Sequence, residues 1–291
     1  METAIISGKG GTGKSSISAA FAMIAGEVVL ADCDVDAANL YILFDPEKEE
    51  ERVYVGGKKA VIDYDLCTNC GLCVDYCRFH AIHTIDGKVE ISEVSCDGCK
   101  LCARVCPFDA ISMVENNLSR MFSGNFRGGK MVYGRLAPGE ENSGKLVNMV
   151  RAKAKELAKE GNFSHIIIDG PPGIGCAVIS AISGVNQVVI VTEPSMSGLH
   201  DLKRAVEVTQ KFNLNPWVLI NKFDLNTEMT VVIENYCRKS GLKIAGKLPF
   251  DPIVVDAMVN LKSIPEWAPE SEISSRLKKI WRKIVGGKNP C

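Results

Sequence analysis

Two sets of residues in this 291-residue chain have the types and spacing to do chemistry. The first is Gly8-Lys9-Gly10-Gly11-Thr12-Gly13-Lys14-Ser15, lying between an apolar run (Ala4, Ile5, Ile6) and a helical stretch (Ile17 to Ala25). Glycines at this spacing let consecutive backbone N–H groups turn inward around a phosphate, and the helix that follows adds the positive end of its dipole. Lys14 is placed to reach the outer phosphates and the Ser15 hydroxyl to hold Mg²⁺. The candidate nucleotide contacts are therefore Gly8, Gly10, Gly11, Thr12, Gly13, Lys14, Ser15 and Ser16. The second set is Cys67-x2-Cys70-x2-Cys73-x3-Cys77, followed by Cys96-x2-Cys99-x2-Cys102-x3-Cys106-Pro107. Corresponding cysteines are offset by 29 positions each time, and Phe79, Ala81 and Ile82 answer Phe108, Ala110 and Ile111. This is an internal duplication.

The duplicated cysteine spacing resembles a bacterial-type ferredoxin with two [4Fe–4S] clusters, in which the fourth cysteine of each run ligates the other cluster. A cubane is too large for one tight turn to supply all four thiolates. The expectation is that Cys67, Cys70, Cys73 and Cys106 hold one cluster and Cys96, Cys99, Cys102 and Cys77 the other. Tetrahedral zinc, the competing reading, needs no such run. Arg78 departs from the pattern, standing where a proline usually follows the fourth cysteine.

The loop with its leading Lys9 resembles the deviant Walker A of the MinD/ParA/Mrp ATPases and the nitrogenase iron protein. The resemblance implies that Lys9 reaches across a dimer interface to the partner's nucleotide, so Lys9, Lys14 and Asp34 are the candidate catalytic residues. Asp32-Cys33-Asp34-Val35-Asp36 matches switch I, with Asp34 orienting the attacking water and Asp36 a magnesium or outer group. Ile166-Ile167-Ile168-Asp169 with Gly170-Pro171-Pro172-Gly173 matches Walker B and switch II, where Asp169 would hold Mg²⁺ through water. Asn221 is placed to read a purine edge, and Pro249-Phe250-Asp251 resembles the segment that packs on the adenine. Asn221-Lys222-Phe223-Asp224 also has the form of the guanine-reading motif of GTPases, so both purines stay open, with the lysine-led loop favouring ATP. Cys176 matches the switch II cysteine of the iron protein, but a second interfacial cysteine is missing between Val132 and Gly144. The C-x-x-C of Mrp-type cluster carriers is missing as well.

These residues need particular elements beneath them. Buried-strand patterns at Val28-Val29-Leu30-Ala31, Ile166 to Ile168, Val188 to Val191, Val218 to Ile220 and Ile244 to Leu248 alternate with helical ones. The reading is an α/β, doubly wound, mostly parallel sheet of the P-loop NTPase, SIMIBI-like class, with carboxylates gathered at the strands' carboxyl ends. The expected domains are the ATPase, residues 1–45 and 118–291, and a small inserted ferredoxin-like α+β domain, residues 46–117. Residues Ser119 to Gly144, glycine-rich (including Gly124, Gly128, Gly129, Gly134 and Gly139), read as a long functional loop. Leu146, Val150, Ala154 and Leu157 mark a helix face. The last helix is amphipathic, with Ile273, Leu277, Ile280 and Ile284 opposed by Arg276, Lys278, Lys279, Arg282 and Lys283. It reads as packed on the core, with a membrane-seeking role the weaker alternative.

Hydrophobic residues make up 46% of the chain, enough for one α/β core and a small module. A net charge of −1 calls for neither nucleic acid nor a membrane surface. The nucleotide loop starts too early to leave room for a signal peptide, so a cytoplasmic home is expected, where twelve cysteines point to metal ligation over disulfides. Cys33, Cys176, Cys237 and Cys291 fall outside the duplication, and free cysteines are usually small buried hydrophobes. From Val61 to Glu115 the balance of charged residues is −5, which leaves about +4 for the rest.

The leading functional expectation is an ATP-hydrolysing, nucleotide-gated dimer that assembles or delivers iron–sulfur or other metal clusters, with ATP, Mg²⁺ and two [4Fe–4S] clusters as cofactors. An ATP-gated electron-transfer protein is the alternative, and a cobyrinate-type amide ligase, lacking a glutaminase domain, ranks last. Expected partners are a second copy or a related ATPase, and an apo-metalloprotein or electron-transfer protein. Neither nucleic acid nor membrane is expected.

Overall fold

The structure is a computed structural model describing residues 1–137, 140 and 143–286. It begins with β1 (Glu2–Ser7), α1 (Lys14–Ala25), β2 (Val28–Asp32), α2 (Leu40–Phe44) and β3 (Glu47–Tyr54). The cysteine-bearing stretch follows as β4 (Lys58–Ile62), α3 (Leu72–Asp75), β5 (Ile82–Ile85), β6 (Lys88–Ile91), α4 (Leu101–Val105) and β7 (Ile111–Glu115). The chain then returns through β8 (Ser119–Phe126), β9 (Gly129–Arg135), α5 (Ser143–Glu160), β10 (His165–Pro172) and α6 (Cys176–Ile182). It continues with β11 (Gln187–Thr192), α7 (Met196–Lys211), β12 (Trp217–Asn221), α8 (Thr227–Lys239) and β13 (Lys243–Leu248), and ends in α9 (Ile253–Val259), α10 (Ile264–Trp267) and α11 (Glu272–Gly286).

Among the described residues, nine strands form one sheet in the order β13-β12-β11-β1-β10-β2-β9-β8-β3. From β13 to β9 every pairing is parallel, and β8 runs antiparallel to both its neighbours. Helices cover both faces, so parallel strands are buried on two sides and read as continuous apolar runs. Ile166 and Ile168 join the core under α5, α6, α7 and α8, while Ile167 joins the core under α1 and α11. The register sets Asp169 beside Asp32, and the Cys33 N–H donates to the Asp169 carbonyl at 2.8 Å. The acidic residues thus meet at one end of the sheet.

Residues 119–135 are not the long loop expected from their glycines but the antiparallel pair β8 and β9. Glycine is required there by close backbone approach: a Cβ on Gly124 would lie 2.0 Å from the Glu47 carbonyl oxygen, and one on Gly129 2.1 Å from that of Val28. Met121, Phe122, Met131, Val132 and Tyr133 are buried on both faces, which hid the period-2 signal. Gly139 and Cys291 lie outside the described residues.

β3 falls on the insert side of the expected boundary at residue 46, yet it pairs with β8 as the outermost strand of the large sheet. The cysteine-bearing unit closes where β4 pairs antiparallel with β7, from Lys58 opposite Glu115 to Ile62 opposite Ile111. Its own small core contains Ala60, Ile62, Cys73, Ile82, Val89, Cys102 and Ile111.

In α11, Ile273, Leu277, Ile280, Trp281 and Ile284 are all buried, and the Trp281 ring lies 5.2 Å from that of Phe21 on α1. The apolar face is spent on the core, which removes the membrane-seeking alternative for it. No helix among the described residues is long and apolar enough to cross a membrane. We expect Trp281→Ala to cost about 3–5 kcal/mol of stability in urea denaturation. A loss below about 1 kcal/mol would mean that α11 is not anchored through this ring.

Candidate functional site

The loop joining β1 to α1 is open and contoured for an anion. Gly11 and Gly13 have φ of +80° and +87°, a region that strains any other L-residue. A Cβ built on Gly10 or Gly11 meets nothing within 4 Å, whereas one on Gly13 would strike Asn221 Nδ2 at 2.4 Å. The Thr12 hydroxyl is buried without a partner among the described residues. An orphaned hydroxyl costs about 1–3 kcal/mol, and a phosphate oxygen over the loop would satisfy it. Gly8 serves packing, since a Cβ there would lie 2.4 Å from the Cβ of Asp201.

Beneath the loop, Lys14 Nζ lies 3.0 Å from Asp169 Oδ1 and 3.5 Å from Asp34 Oδ2. Ser15 Oγ donates to Asp169 Oδ2 at 2.7 Å, and Ser18 Oγ donates to Asp169 Oδ1 at 2.7 Å. Burial alone would lower the Lys14 pKa, but Asp169, Asp34 and Asp32 together hold it above its usual value. Burial, helped by repulsion from Asp169, pushes Asp32 up to about 7 despite Lys14. Burial raises Asp34 too, against the pull of Lys14, and burial likewise raises Asp36. Asp32 accepts the N–H groups of Asp34, Asn39 and Leu40, so it shapes the segment that carries Asp34.

A cleft of about 710 Å³ opens here, lined by Gly10 through Ser16, Asp34, Asp36, Pro171, Pro172 and Cys176, with Met258 of α9. Met258 gave no sequence signal, being one apolar residue on a short helix. Asn221, Pro249, Phe250 and Asp251 do not line the cleft. Asn221 Nδ2 instead donates to the Thr12 carbonyl at 2.8 Å, and Lys222 Nζ to that of Gly11 at 3.1 Å. The Phe250 N–H donates to Asp224 Oδ1 at 2.7 Å, while Asp251 Oδ1 accepts the Ile253 N–H.

Lys9 points back into its own subunit. Its Nζ lies 2.6 Å from Glu193 Oε1 and donates to Ser197 Oγ at 2.9 Å. Lys222 Nζ sits 3.6 Å from the other Glu193 oxygen. Glu193 was legible only as a residue after a strand; its pairing depends on a contact 184 positions away.

The cysteines fall into two hollows. Cys67, Cys70, Cys73 and Cys106 line one, and Cys77, Cys96, Cys99 and Cys102 line the other. Apart from Asp97 and Lys100, the remaining lining residues of both are uncharged. Among the described residues no three His, Cys, Asp or Glu side chains converge tightly enough for a single metal ion. Each hollow is lined by four cysteines, the number of thiolates that one [4Fe–4S] cluster takes. Cys33 and Cys237 are buried, and burial raises both thiols, Cys237 to about 11. Cys176 is exposed.

Removing the ammonium should expose the strain among the carboxylates. Lys14→Ala is expected to destabilise the nucleotide-free protein by about 3–5 kcal/mol. Without the cation the folded carboxylates hold protons that the unfolded chain releases, so the deficit grows as pH rises from about 5 to 8. Denaturation at several pH values reads this, and a pH-independent deficit would contradict it.

Residues 3–264 match the family model described as the CobQ/CobB/MinD/ParA nucleotide binding domain. An uncharacterized protein of Methanocaldococcus jannaschii is 36% identical over 287 residues, spanning 98% of this chain and 96% of its own. The iron-sulfur cluster carrier protein of Aquifex aeolicus is 26% identical over 145 residues, 45% of this chain and 40% of its own. The structure of the septum site-determining protein MinD from Pyrococcus horikoshii, complexed with Mg-ADP, superposes with a TM-score of 0.60 at 18% identity, covering 98% of this chain and 97% of that one. With its lysine-led phosphate loop above paired strand-end carboxylates, the chain belongs to the CobQ/CobB/MinD/ParA nucleotide-binding family, as a P-loop ATPase of the MinD/ParA type.

Proposed function

We propose that this chain is an ATP-hydrolysing iron–sulfur protein that assembles or delivers iron–sulfur or other metal clusters, working in the cytoplasm as a nucleotide-gated dimer with a second copy or a related ATPase. The observation that carries the reading is the sorting of eight cysteines into two hollows of four, with Cys77 and Cys106 exchanged between the repeats. Zinc would not call for that exchange. The ferredoxin-like insert of residues 46–117 would reduce to about 58–115, since β3 belongs to the large sheet. The partial relative named as an iron-sulfur cluster carrier agrees with a cluster cargo. An apo-metalloprotein is the acceptor the reading requires.

In the nucleotide site, Ser15 and Asp169 would hold Mg²⁺, which neutralises charge on the transferring phosphoryl. Lys14, released from Asp169 and Asp34 by the metal's charge, would turn to the outer phosphates. Asp34 would then orient the attacking water, and Lys9 would leave Glu193 and Ser197 for the partner's nucleotide. Asn221 with Pro249, Phe250 and Asp251 would flank the base. The engagement of Asp224 with the Phe250 N–H favours ATP, because a guanine reader needs that carboxylate free. Nucleotide-gated electron transfer is the second reading, favoured by the packing of Cys73 and Cys102 in one small core.

Anaerobic purification should give about eight iron and eight acid-labile sulfide per chain, as two cubanes require. Transfer of iron and sulfide to an apo-acceptor should be faster with ATP than with AMP; equal transfer points to the electron-transfer reading. Lys9→Ala should retain nucleotide binding and lose at least about tenfold in turnover, given the charge it removes from the transition state. Full activity in that variant would remove the cross-dimer role.

A further inference from the structure

The duplication supplies an internal control, because every position in one cysteine repeat has a counterpart 29 residues away. Half of the counterparts from Cys67 to Ile82 are identical, and five near the cysteines differ in charge. Gly71, at φ +79°, precedes α3, and its counterpart before α4 is Lys100, at φ +68°. A lysine is strained in that left-handed conformation where glycine is at ease, and such strain persists where it serves a purpose. Lys100 lines the hollow of Cys96, Cys99, Cys102 and Cys77. Asp97 stands opposite Thr68, Arg104 opposite Asp75, Arg78 opposite Pro107 and His80 opposite Asp109.

Because the fourth cysteines are exchanged, these differences add up by hollow rather than by repeat. In the lining of the Cys96, Cys99, Cys102 and Cys77 hollow Lys100 and Asp97 cancel, and Arg78 beside Cys77 leaves a formal +1 there, while Asp75 and Arg104 each stand between cysteines of the two hollows and count for neither. Beside the Cys67, Cys70, Cys73 and Cys106 hollow the matching positions carry only Asp109, a formal −1. Hydrogen bonding is uneven in the same direction. The Ala81 N–H donates to Cys77 Sγ at 3.2 Å, and among the described residues Cys106 Sγ accepts no such bond. Pro107 has no N–H to offer where Arg78 has one.

Positive charge and N–H donors at the thiolates stabilise the more negative, reduced form of an iron–sulfur site. We propose that the two cysteine hollows are electronically unequal by construction: the site of Cys96, Cys99, Cys102 and Cys77 takes up an electron at a more positive potential than its twin, with Lys100 as the residue that tunes it. This rests on the reading that both hollows hold [4Fe–4S] clusters. An electron from a low-potential one-electron donor would then settle at this site, whether the protein delivers clusters or electrons. Lys100 and Arg78 are exposed, so the charge contribution is screened by water and fades with salt, while that of the N–H donor does not.

The experiment is a redox titration of the anaerobically purified full chain, followed by electron paramagnetic resonance, with iron and sulfide counted first. Two separate one-electron waves are expected. Lys100→Gly, which places glycine where φ is positive, and Lys100→Gln, which keeps bulk and removes charge, should each lower the upper wave and leave the lower one in place. The shift should shrink as ionic strength rises. Arg78→Pro should lower the same upper wave. Full iron with coincident waves, or a Lys100 variant that moves the lower wave or neither, overturns the proposal while leaving the cluster reading intact. Iron well short of two cubanes overturns both.

Discussion

The ammonium of Lys14, buried among the carboxylates of Asp169, Asp34 and Asp32, is the interaction on which the rest of the structure depends. Strand pairing forces Asp32 and Asp169 to be neighbours, and two carboxylates buried side by side call for a cation between them. The arrangement makes the nucleotide-free state a provisional one. Under the proposed function, Mg²⁺ and a triphosphate would bring both a replacement cation and a new partner for the lysine, so that binding would exchange one set of charge pairs for another instead of simply adding contacts.

That exchange is passed on by the backbone. Asp32 holds the N–H groups of Asp34, Asn39 and Leu40, and α2 starts at Leu40. After α2 the chain enters β3 and, from its end, the cysteine-bearing unit. Arg127, in the turn between β8 and β9, binds the carbonyls of Leu43 and Phe44 at the end of α2, and the carbonyl of Leu261 beyond α9. A movement of the Asp34 segment therefore has a short route, through α2 and β3, to the unit that carries the cysteines.

Much of this was legible in the sequence, because the signals were local. A glycine-spaced loop, apolar runs ending in aspartate and a 29-residue cysteine repeat each declare themselves within a few residues. What escaped the sequence depends on contacts between distant parts. β8 and β9 looked like a glycine-rich loop because their glycines answer the backbones of Glu47 and Val28. β3, a run of charged residues, gave no sign of belonging to a sheet until β8 was there to pair with it. The resting partner of Lys9 was hidden for the same reason, Glu193 being remote in sequence.

Amide hydrogen exchange along residues 40–62, compared between ATP-bound and AMP-bound protein, tests most directly whether nucleotide state reaches the cysteine-bearing unit. The account predicts that α2, β3 and β4 change protection together when ATP with Mg²⁺ replaces AMP. Changes confined to the phosphate loop and the Asp169 strand, with residues 47–62 unmoved, would contradict it.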